Sequence, residues 1–512
     1  MQNKICDKIR DLCSIGSIVA EEQKKGLRVV HCHGVFDLLH PGHIRHLQEA
    51  KSQGDKLVVS ITPDRHVNKG PGRPAFPENL RLEQLAAFVY VDYVVLNDMP
   101  DAVSAIQKIK PDIYVKGAEY RNHGADITGK ISEEAAAVEG VGGKIHYTDD
   151  IVFSSSKLIN RFFDEDAARI TPFIDELKKS HTLEEILSKI EGLKSLKVLV
   201  IGDAIIDEYQ YVEPLGQAGK GVHFSARLLD KEVFLGGSLI IANHLSSFVR
   251  SVTLLTGVGV SCSHTSDLSG KLESNVEPHL VYFDKYPTLT KTRFVLKDGE
   301  TITKLFETYT SNSPLLNEYN SEQVLRFLKE QSADFDLILV CDFGNGFINP
   351  EIVSTLCEQP QFLAVNTQTN SGNRGYNVVT HYHRADFVSL NEPEMRLAAH
   401  DRYSRIETVT ADIADFLQCP LISVTRGVNG VLLFSQTGAS FAIPALTTRS
   451  VDRVGAGDSY FSLAAACAAK GYSSLLTGFV GSAAAAIAVQ IVGNKEAIHK
   501  TALCKYITRL FK

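Results

Sequence analysis

The 512-residue chain has no excess of positive charge, no CxxC pair and no repeated or low-complexity tract, and each absence removes a class of protein. A formal net charge of −7 argues against a general polyanion-binding surface, so nucleic acid is not expected as a partner, although a local phosphate pocket needs only a few basic groups. The nine cysteines are scattered without metal-ligand spacing and read as reduced cytosolic thiols rather than a disulfide frame or zinc site. The first residues, MQNKICDKIRDLCSIGS, include acidic groups and lack a long apolar core. No secretory signal is expected, and the protein is expected in the cytoplasm. One uncharged stretch, GYSSLLTGFVGSAAAAIAVQIVGN from Gly471 to Asn494, is long enough to cross a bilayer. Its Ala, Gly and Ser content, with Gln490 inside, fits a closely packed interior helix better, and no membrane partner is expected.

What is present is the composition of a soluble globular protein, 44% hydrophobic and 22% charged, long enough for two large domains. After Arg28 the β-like runs RVVHCH, KLVVSIT, DYVVL and DIYVKG alternate with helical ones, among them a helix from about Gly42 and one over ENLRLEQLAAF. Such alternation predicts an α/β domain with a parallel sheet over residues 28–163, preceded by an extension, 1–27. Residues 164–194 are charged with helical spacing and read as a helical linker. A second α/β domain, 195–512, starts at KVLVIGD and continues through LLTGVG, DLILVCDFG, FLAVN, DFVSLN and LISVTRG. Its helix-free insert TKTRFVLKDGETITKLFE is expected to form a small β lid or a dimer clasp, hence a homo-oligomer, most simply a dimer.

The stretch GVFDLLHPGHIRHL places two histidines three apart where a strand turns into a helix. Exposed N–H groups and positive partial charge at a helix start hold phosphate. Pro41 presets the helix entry and Gly42 lets backbone approach a ligand. His40 and His43 then point at one phosphate, each donor contributing about 3 kcal/mol in a transition state.

GVFDLLHPGH resembles the signature of the HxGH nucleotidyltransferase superfamily, which includes cytidylyltransferases and heptose 1-phosphate nucleotidyltransferases and has a Rossmann-like fold. KGPGRP from Lys69, the RxExL of Arg81 to Leu85, VDYVVL, VKGAEY from Val115 and SSSKLI from Ser154 follow in the family's order. The resemblance implies that His40 and His43 stabilise the pentacoordinate α-phosphate. Lys69 and Lys116 would neutralise triphosphate and sugar phosphate. Gly34, Phe36 and Asp37 would shape the nucleotide pocket, and Ser154, Ser155 and Ser156 would bind phosphate at a helix start. In-line attack by a sugar-phosphate oxygen on CTP or ATP would release pyrophosphate, with Mg²⁺ offsetting charge.

A second helix start lies in RSVDRVGAGDSYFSLAAACAAKG. Gly455, Ala456 and Gly457 leave their N–H groups open as an anion nest, and Asp458 sits where a carboxylate takes a proton from an attacking hydroxyl. General-base help of this kind is worth about 10²–10⁴ in rate. An N-cap role for Asp458 is the alternative, but it does not account for the two glycines.

These residues resemble the D-T-x-G-A-G-D signature of the ribokinase-like (pfkB) sugar kinases, over roughly 195–512. The resemblance implies ATP and Mg²⁺. Asp207, Gly236, Gly237, Lys291 and Arg293 would contact the sugar. Asn391 and Glu394 would organise Mg²⁺-phosphate, Glu394 through phosphate or water, and Thr425 and Gly427 would lie beside the nucleotide. Four positions depart from the pattern: Arg453 stands for the signature threonine, Asn345 and Gln368 for lysines, and Ile240 for a sugar-binding asparagine, with Asn243 one turn later.

The reading that results is a bifunctional nucleotide-sugar enzyme, similar to the two-domain heptose kinase/nucleotidyltransferases with the domains in reverse order. Its C-terminal half would phosphorylate a heptose 7-phosphate-like sugar, and its N-terminal half would couple a sugar 1-phosphate to a nucleotide. The alternatives are an active nucleotidyltransferase, with a sugar- or alcohol-phosphate acceptor, carrying a non-catalytic binding module, and a scaffold whose pockets are relics.

Overall fold

The β-like runs of the first half assemble into one parallel sheet. Its strands are β1 (Ile9–Arg10), β2 (Val29–Gly34), β3 (Lys56–Ile61), β4 (Tyr93–Leu96), β5 (Ile113–Gly117) and β6 (Lys144–Thr148), in the order β1-β4-β3-β2-β5-β6. In this computed structural model the described residues are 7–67, 73–117, 130–148, 166–217, 221, 223–260, 268, 270–283, 287–298, 301–310, 318–373, 375–436 and 438–511. Side chains on a strand alternate faces, and both faces here are apolar. Val30, Cys32, Leu57 and Val59 pack against Leu47, Ala50 and Leu85. Val29, Val58 and Val95 pack against Ile15, Val19, Ala105 and Ile109.

Residues 9–24, expected as an extension, therefore belong to this sheet's own layers. β1 pairs with β4, and the helix Ile15–Lys24 covers a face that would otherwise be bare. The strand order reverses at β2, whose neighbours are β3 and β5. In open parallel sheets a crevice forms beyond the strand ends at such a point.

The second half builds around β7 (Lys197–Gln217), β8 (Phe224–Gly237), β9 (Ser251–Gly259), β10 (Val276–Phe283), β11 (Leu289–Asp298), β12 (Thr301–Tyr309), β13 (Leu337–Asp342), β14 (Phe362–Thr367), β15 (Phe387–Asn391), β16 (Leu421–Thr425), β17 (Val431–Ser435) and β18 (Ser440–Ile443). The main path runs β10-β9-β7-β13-β14-β15-β16-β17-β18, parallel up to β16 and antiparallel beyond it.

β7 serves two sheets. Its first residues, Lys197–Asp203, pair with β9 and β13, while Ala204 onward pairs with β8 and, in parallel, with β11. The lid is thus larger than the expected insert 290–307, since β8 and the outer half of β7 join β11 and β12. In FSARLLDKEVFLGG, charges fall at Arg227, Asp230, Lys231 and Glu232, where the ribbon faces solvent, and they break the apolar pattern that would mark a strand.

The uncharged stretch near the C-terminus forms the helix Ser474–Ala488, buried against the small-residue helix Ala456–Ala469. No helix among the described residues is long and apolar enough to cross a membrane. Residues 1–167 with 504–512 form one compact unit, and 168–503 form the other. The helices Ala167–Ser180 and Leu183–Gly192, the second closed by a Thr182/Glu185 capping box, occupy the stretch read as a linker.

Candidate functional site

In the first unit, β2 ends at Gly34 and the chain turns through Phe36, which has φ +49°, into the helix Pro41–Ser52. His40 is the N-cap residue. Its Nδ1 accepts the N–H of Gly42 at 3.1 Å, satisfying one orphan donor of the helix and fixing Nδ1 as the unprotonated nitrogen. Burial lowers the pKa of His40, so the ring is neutral at pH 7 and carries its proton on Nε2. His43 lies against it with ring centroids 3.9 Å apart, and Phe36 packs 5.4 Å from His43. The two imidazoles are thus brought together at the first turn of a helix that starts beyond the switch-point strand.

Asp37, expected to shape a nucleotide pocket, has its carboxylate engaged below the turn. It pairs with Arg73 at 2.6 Å and accepts the N–H groups of Ala75 at 2.6 Å and Phe76 at 3.2 Å. Lys116, at the end of β5, is buried and ion-paired with Glu134 at 2.7 Å. Lys69 and the serines Ser154, Ser155 and Ser156 lie outside the described residues.

Arg81, which the sequence placed only within a motif, is the hub of this end of the sheet. Fully buried, it donates to the carbonyls of Phe76 at 3.0 Å, Val35 at 2.5 Å and Thr62 at 3.0 Å, and to Asp64 at 2.5 Å. It therefore ties the turn after β2 to the exit of β3. Its signal was a basic residue on the same helical face as Leu85, four residues on. His31 was also missed. Ser60 Oγ bridges it, at 2.7 Å, to His33, at 2.8 Å, and burial with the charge of Lys116 pushes its pKa down to about 3.

In the second unit the helix Ala456–Ala469 starts at Gly455, whose φ of +79° favours glycine. A Cβ there would lie 1.9 Å from Asn494 Oδ1, so close approach of Asn494 also requires glycine. Asp458 sits in the first turn and keeps part of its surface open. Burial, then the charge of Asp207, pushes its pKa up to about 7 against the opposing pull of Lys291 and Arg293.

Those partners come from the lid. Asp207 lies on β7 opposite Lys291 of β11, and Arg293, two residues on, makes a short ion pair with the Asp207 carboxylate. Arg293 also reaches Glu307 at 3.3 Å. Lys291 is buried, and desolvation holds its ammonium below the usual lysine range although Asp207 pulls the other way. Asn494 Nδ2 approaches Asp207 at 3.5 Å, and a side chain at Gly236 would meet the same carboxylate at 2.7 Å. Gly237 ends β8 beside it. Asn494 is a site residue the sequence reading missed.

Asp452, first residue of the signature-like stretch, is a structural tie. It accepts from Tyr209 at 2.6 Å, Lys304 at 2.7 Å, Gly493 N–H at 2.9 Å and Val454 N–H at 3.1 Å, joining lid strands to the glycine turn. Asp203 does the same for the CDFGNG loop by accepting the N–H groups of Phe343, Asn345 and Phe347, and burial, then the charge of Asp342, raises it to about 7.

Asn391 and Glu394 form a reciprocal capping box. The Glu394 oxygens take N–H groups of Asn391 at 3.0 Å and Thr369 at 3.2 Å, while burial pushes its pKa up to about 7. Among the described residues no three His, Cys, Asp or Glu side chains form a metal cluster. Thr425 and Gly427 line a cavity of about 230 Å³ walled by Val431, Leu446, Ala485, Ala486 and Val489 and reaching Ala456 and Gly457. Ile240 is buried, and Asn243 bridges Lys271 O at 2.9 Å and Glu273 N at 3.0 Å, so its amide is engaged within the fold.

Comparison with known proteins bears on both units. Residues 31–161 match the cytidylyltransferase-like family. The chain is 41% identical over 139 residues to the bifunctional protein HldE of Azorhizobium caulinodans, covering 26% of this chain and 28% of that one. It is 36% identical over 160 residues to that of Syntrophotalea carbinolica, covering 31% of each. The chain thus spans less than a third of the length of these curated relatives. Among solved structures, phosphofructokinase-2 from Escherichia coli with substrates and products is 14% identical at a TM-score of 0.48, covering 62% of this chain and all of that one. Ribokinase from Thermotoga maritima is 18% identical at 0.46, covering 61% of this chain and 99% of that one. Residues 195–501, more than half of the sequence, match the pfkB family of carbohydrate kinases. The chain belongs to that carbohydrate-kinase family and carries a cytidylyltransferase-like domain ahead of its kinase-like one.

Proposed function

We propose that the chain is a bifunctional enzyme of nucleotide-sugar synthesis. The C-terminal domain phosphorylates a heptose 7-phosphate-like sugar from ATP, and the N-terminal domain transfers a nucleotidyl group from CTP or ATP to a sugar 1-phosphate, releasing pyrophosphate. The observation that carries the reading is Asp458, a carboxylate with a pKa near 7 at the mouth of an anion nest, beside Asp207, Lys291 and Arg293. A base with that pKa accepts a hydroxyl proton at neutral pH, and the open N–H groups of the nest take charge on the transferred phosphoryl group. In the other domain, neutral His40 donates from Nε2 beside His43 to a phosphate seated at the helix start.

Mg²⁺ is consistent with this site, because it keeps several waters and binds through one or two carboxylates and substrate phosphates, so the lack of a described three-residue cluster does not conflict with it. Glu394 and Asn391 would hold it through phosphate or water, and its charge would offset that of the phosphates.

Free thiols at all the described cysteines support a reducing, cytoplasmic setting. The exposed Leu215, Phe224, Leu228, Leu229 and Phe306 on the lid support a homodimer built through that sheet. Phe224→Glu with Leu229→Glu is expected to convert a dimer to a monomer by light scattering.

A second reading, a non-catalytic sugar- or nucleotide-binding module, is favoured by Ile240, which offers no hydrogen bond to a hydroxyl. Transfer of labelled γ-phosphate from ATP to heptose 7-phosphate and a panel of sugars, with Asp458→Asn as control, decides between them. Turnover that Asp458→Asn abolishes supports the kinase; no turnover on any sugar supports the module.

A further inference from the structure

The cavity beside Thr425 and Gly427 has an uneven distribution of charge. Its walls are apolar, yet two arginines, Arg449 and Arg453, line it, and no described lining residue is acidic. Arg453 stands two residues before the glycine turn, whose Ala456 and Gly457, at the start of a helix, line the same cavity. The residue is exposed, and its guanidinium has no hydrogen-bond or ion-pair partner among the described residues. Most other arginines in this unit are engaged: Arg293 with Asp207, Arg384 with Asp386, and Arg396 and Arg426 with Glu392. Arg453 is thus a fixed positive charge at the rim of an apolar pocket, next to a set of backbone anion donors, with no counter-charge supplied by the described residues.

We infer that Arg453 binds the phosphate tail of the nucleotide in this cavity and sets its preference for a nucleoside polyphosphate over a nucleoside. The apolar walls take the planar base, and the guanidinium, with five N–H donors in a fixed fork, takes phosphate oxygens in the direction of the Gly455–Gly457 turn. The inference rests on the reading of this cavity as the nucleotide site, and adds a residue that decides how many phosphates the nucleotide must carry.

The test is calorimetric titration of the full-length protein, wild type, Arg453→Ala and Arg453→Lys, with ADP and with adenosine. A charge-assisted contact of this kind sets the expected loss of ADP affinity in Arg453→Ala at about tenfold or more, with adenosine affinity unchanged and Arg453→Lys intermediate. ADP affinity should also fall less with added salt in the alanine variant than in wild type. Because Arg453 is exposed, unchanged melting temperatures are expected for both variants. Equal ADP affinity in wild type and Arg453→Ala overturns the role of Arg453 while leaving the cavity as the nucleotide site. Parallel losses for ADP and adenosine overturn it too, since they indicate a general effect on the pocket. No ADP binding by the wild type overturns the nucleotide reading itself.

Discussion

Asp458→Asn should make the kinase domain more stable and inactive at the same time. The carboxyl has a pKa of about 7 in the folded protein against 3.8 for an ordinary aspartate. The folded state therefore prefers the protonated form. The stability this contributes is complete below the unfolded pKa and is lost as pH rises through about 7. At 1.36 kcal/mol per unit, ionisation at pH 8 costs up to about 4 kcal/mol, and the partly open position of the side chain reduces that to about 2. Asparagine is neutral throughout, so it escapes the cost. For a domain of this size the expected gain is about 4 °C in Tm at pH 8, shrinking to roughly a third of that at pH 5 and towards nothing below the unfolded pKa of 3.8. Calorimetry of the full-length protein across that range measures it. Phosphoryl transfer should fall by about 10²–10⁴ in the same variant, and wild-type kcat/KM should rise about tenfold between pH 6 and pH 8. A variant that melts lower than wild type at pH 8, or a Tm difference independent of pH, would refute the argument that Asp458 is held with an elevated pKa.

Other consequences are open to test. Replacing Arg81 with Met strands the Asp64 carboxylate and the carbonyls of Val35, Thr62 and Phe76, and should cost the N-terminal domain about 3–5 kcal/mol in urea unfolding; a loss below 1 kcal/mol would remove its role as hub. Asn494→Ala should raise the KM for the sugar about tenfold while leaving ADP affinity alone, as expected for an amide beside Asp207 rather than in the nucleotide cavity. Lys291→Met removes a cation that holds the Asp458 pKa down, so the rising limb of the kinase pH profile should move to higher pH. A limb that stays in place would show that the two groups are not coupled.

Much of the architecture was legible because the first sheet, and the second as far as β16, are parallel with central strands buried on two faces, which writes strands such as KLVVSI and LILVCD as largely apolar runs. β1 was not legible, since two residues carry no period. Nor was β8, whose charged residues cluster where the ribbon is exposed on both faces. At the sites, glycine turns and paired histidines were readable locally because each occupies one contiguous stretch. Asn494 was not, since it reaches Asp207 across 287 positions and only the closed fold brings them together. The engagement of Asn243 with the backbone at 271 and 273 was hidden for the same reason. Arg81 lay in view, but whether a basic residue on an apolar face is buried depends on the carbonyls gathered around it, and these come from three separate turns.

The most direct test of a two-site enzyme is a paired assay on one preparation of wild type, His43→Ala and Asp458→Asn: pyrophosphate release with CTP or ATP and a sugar 1-phosphate, and γ-phosphate transfer to a sugar. The expected result is a clean separation, with His43→Ala losing pyrophosphate release by about 10²-fold or more and keeping kinase activity, and Asp458→Asn doing the reverse. Loss of both activities in either variant, or of neither in both, would contradict it.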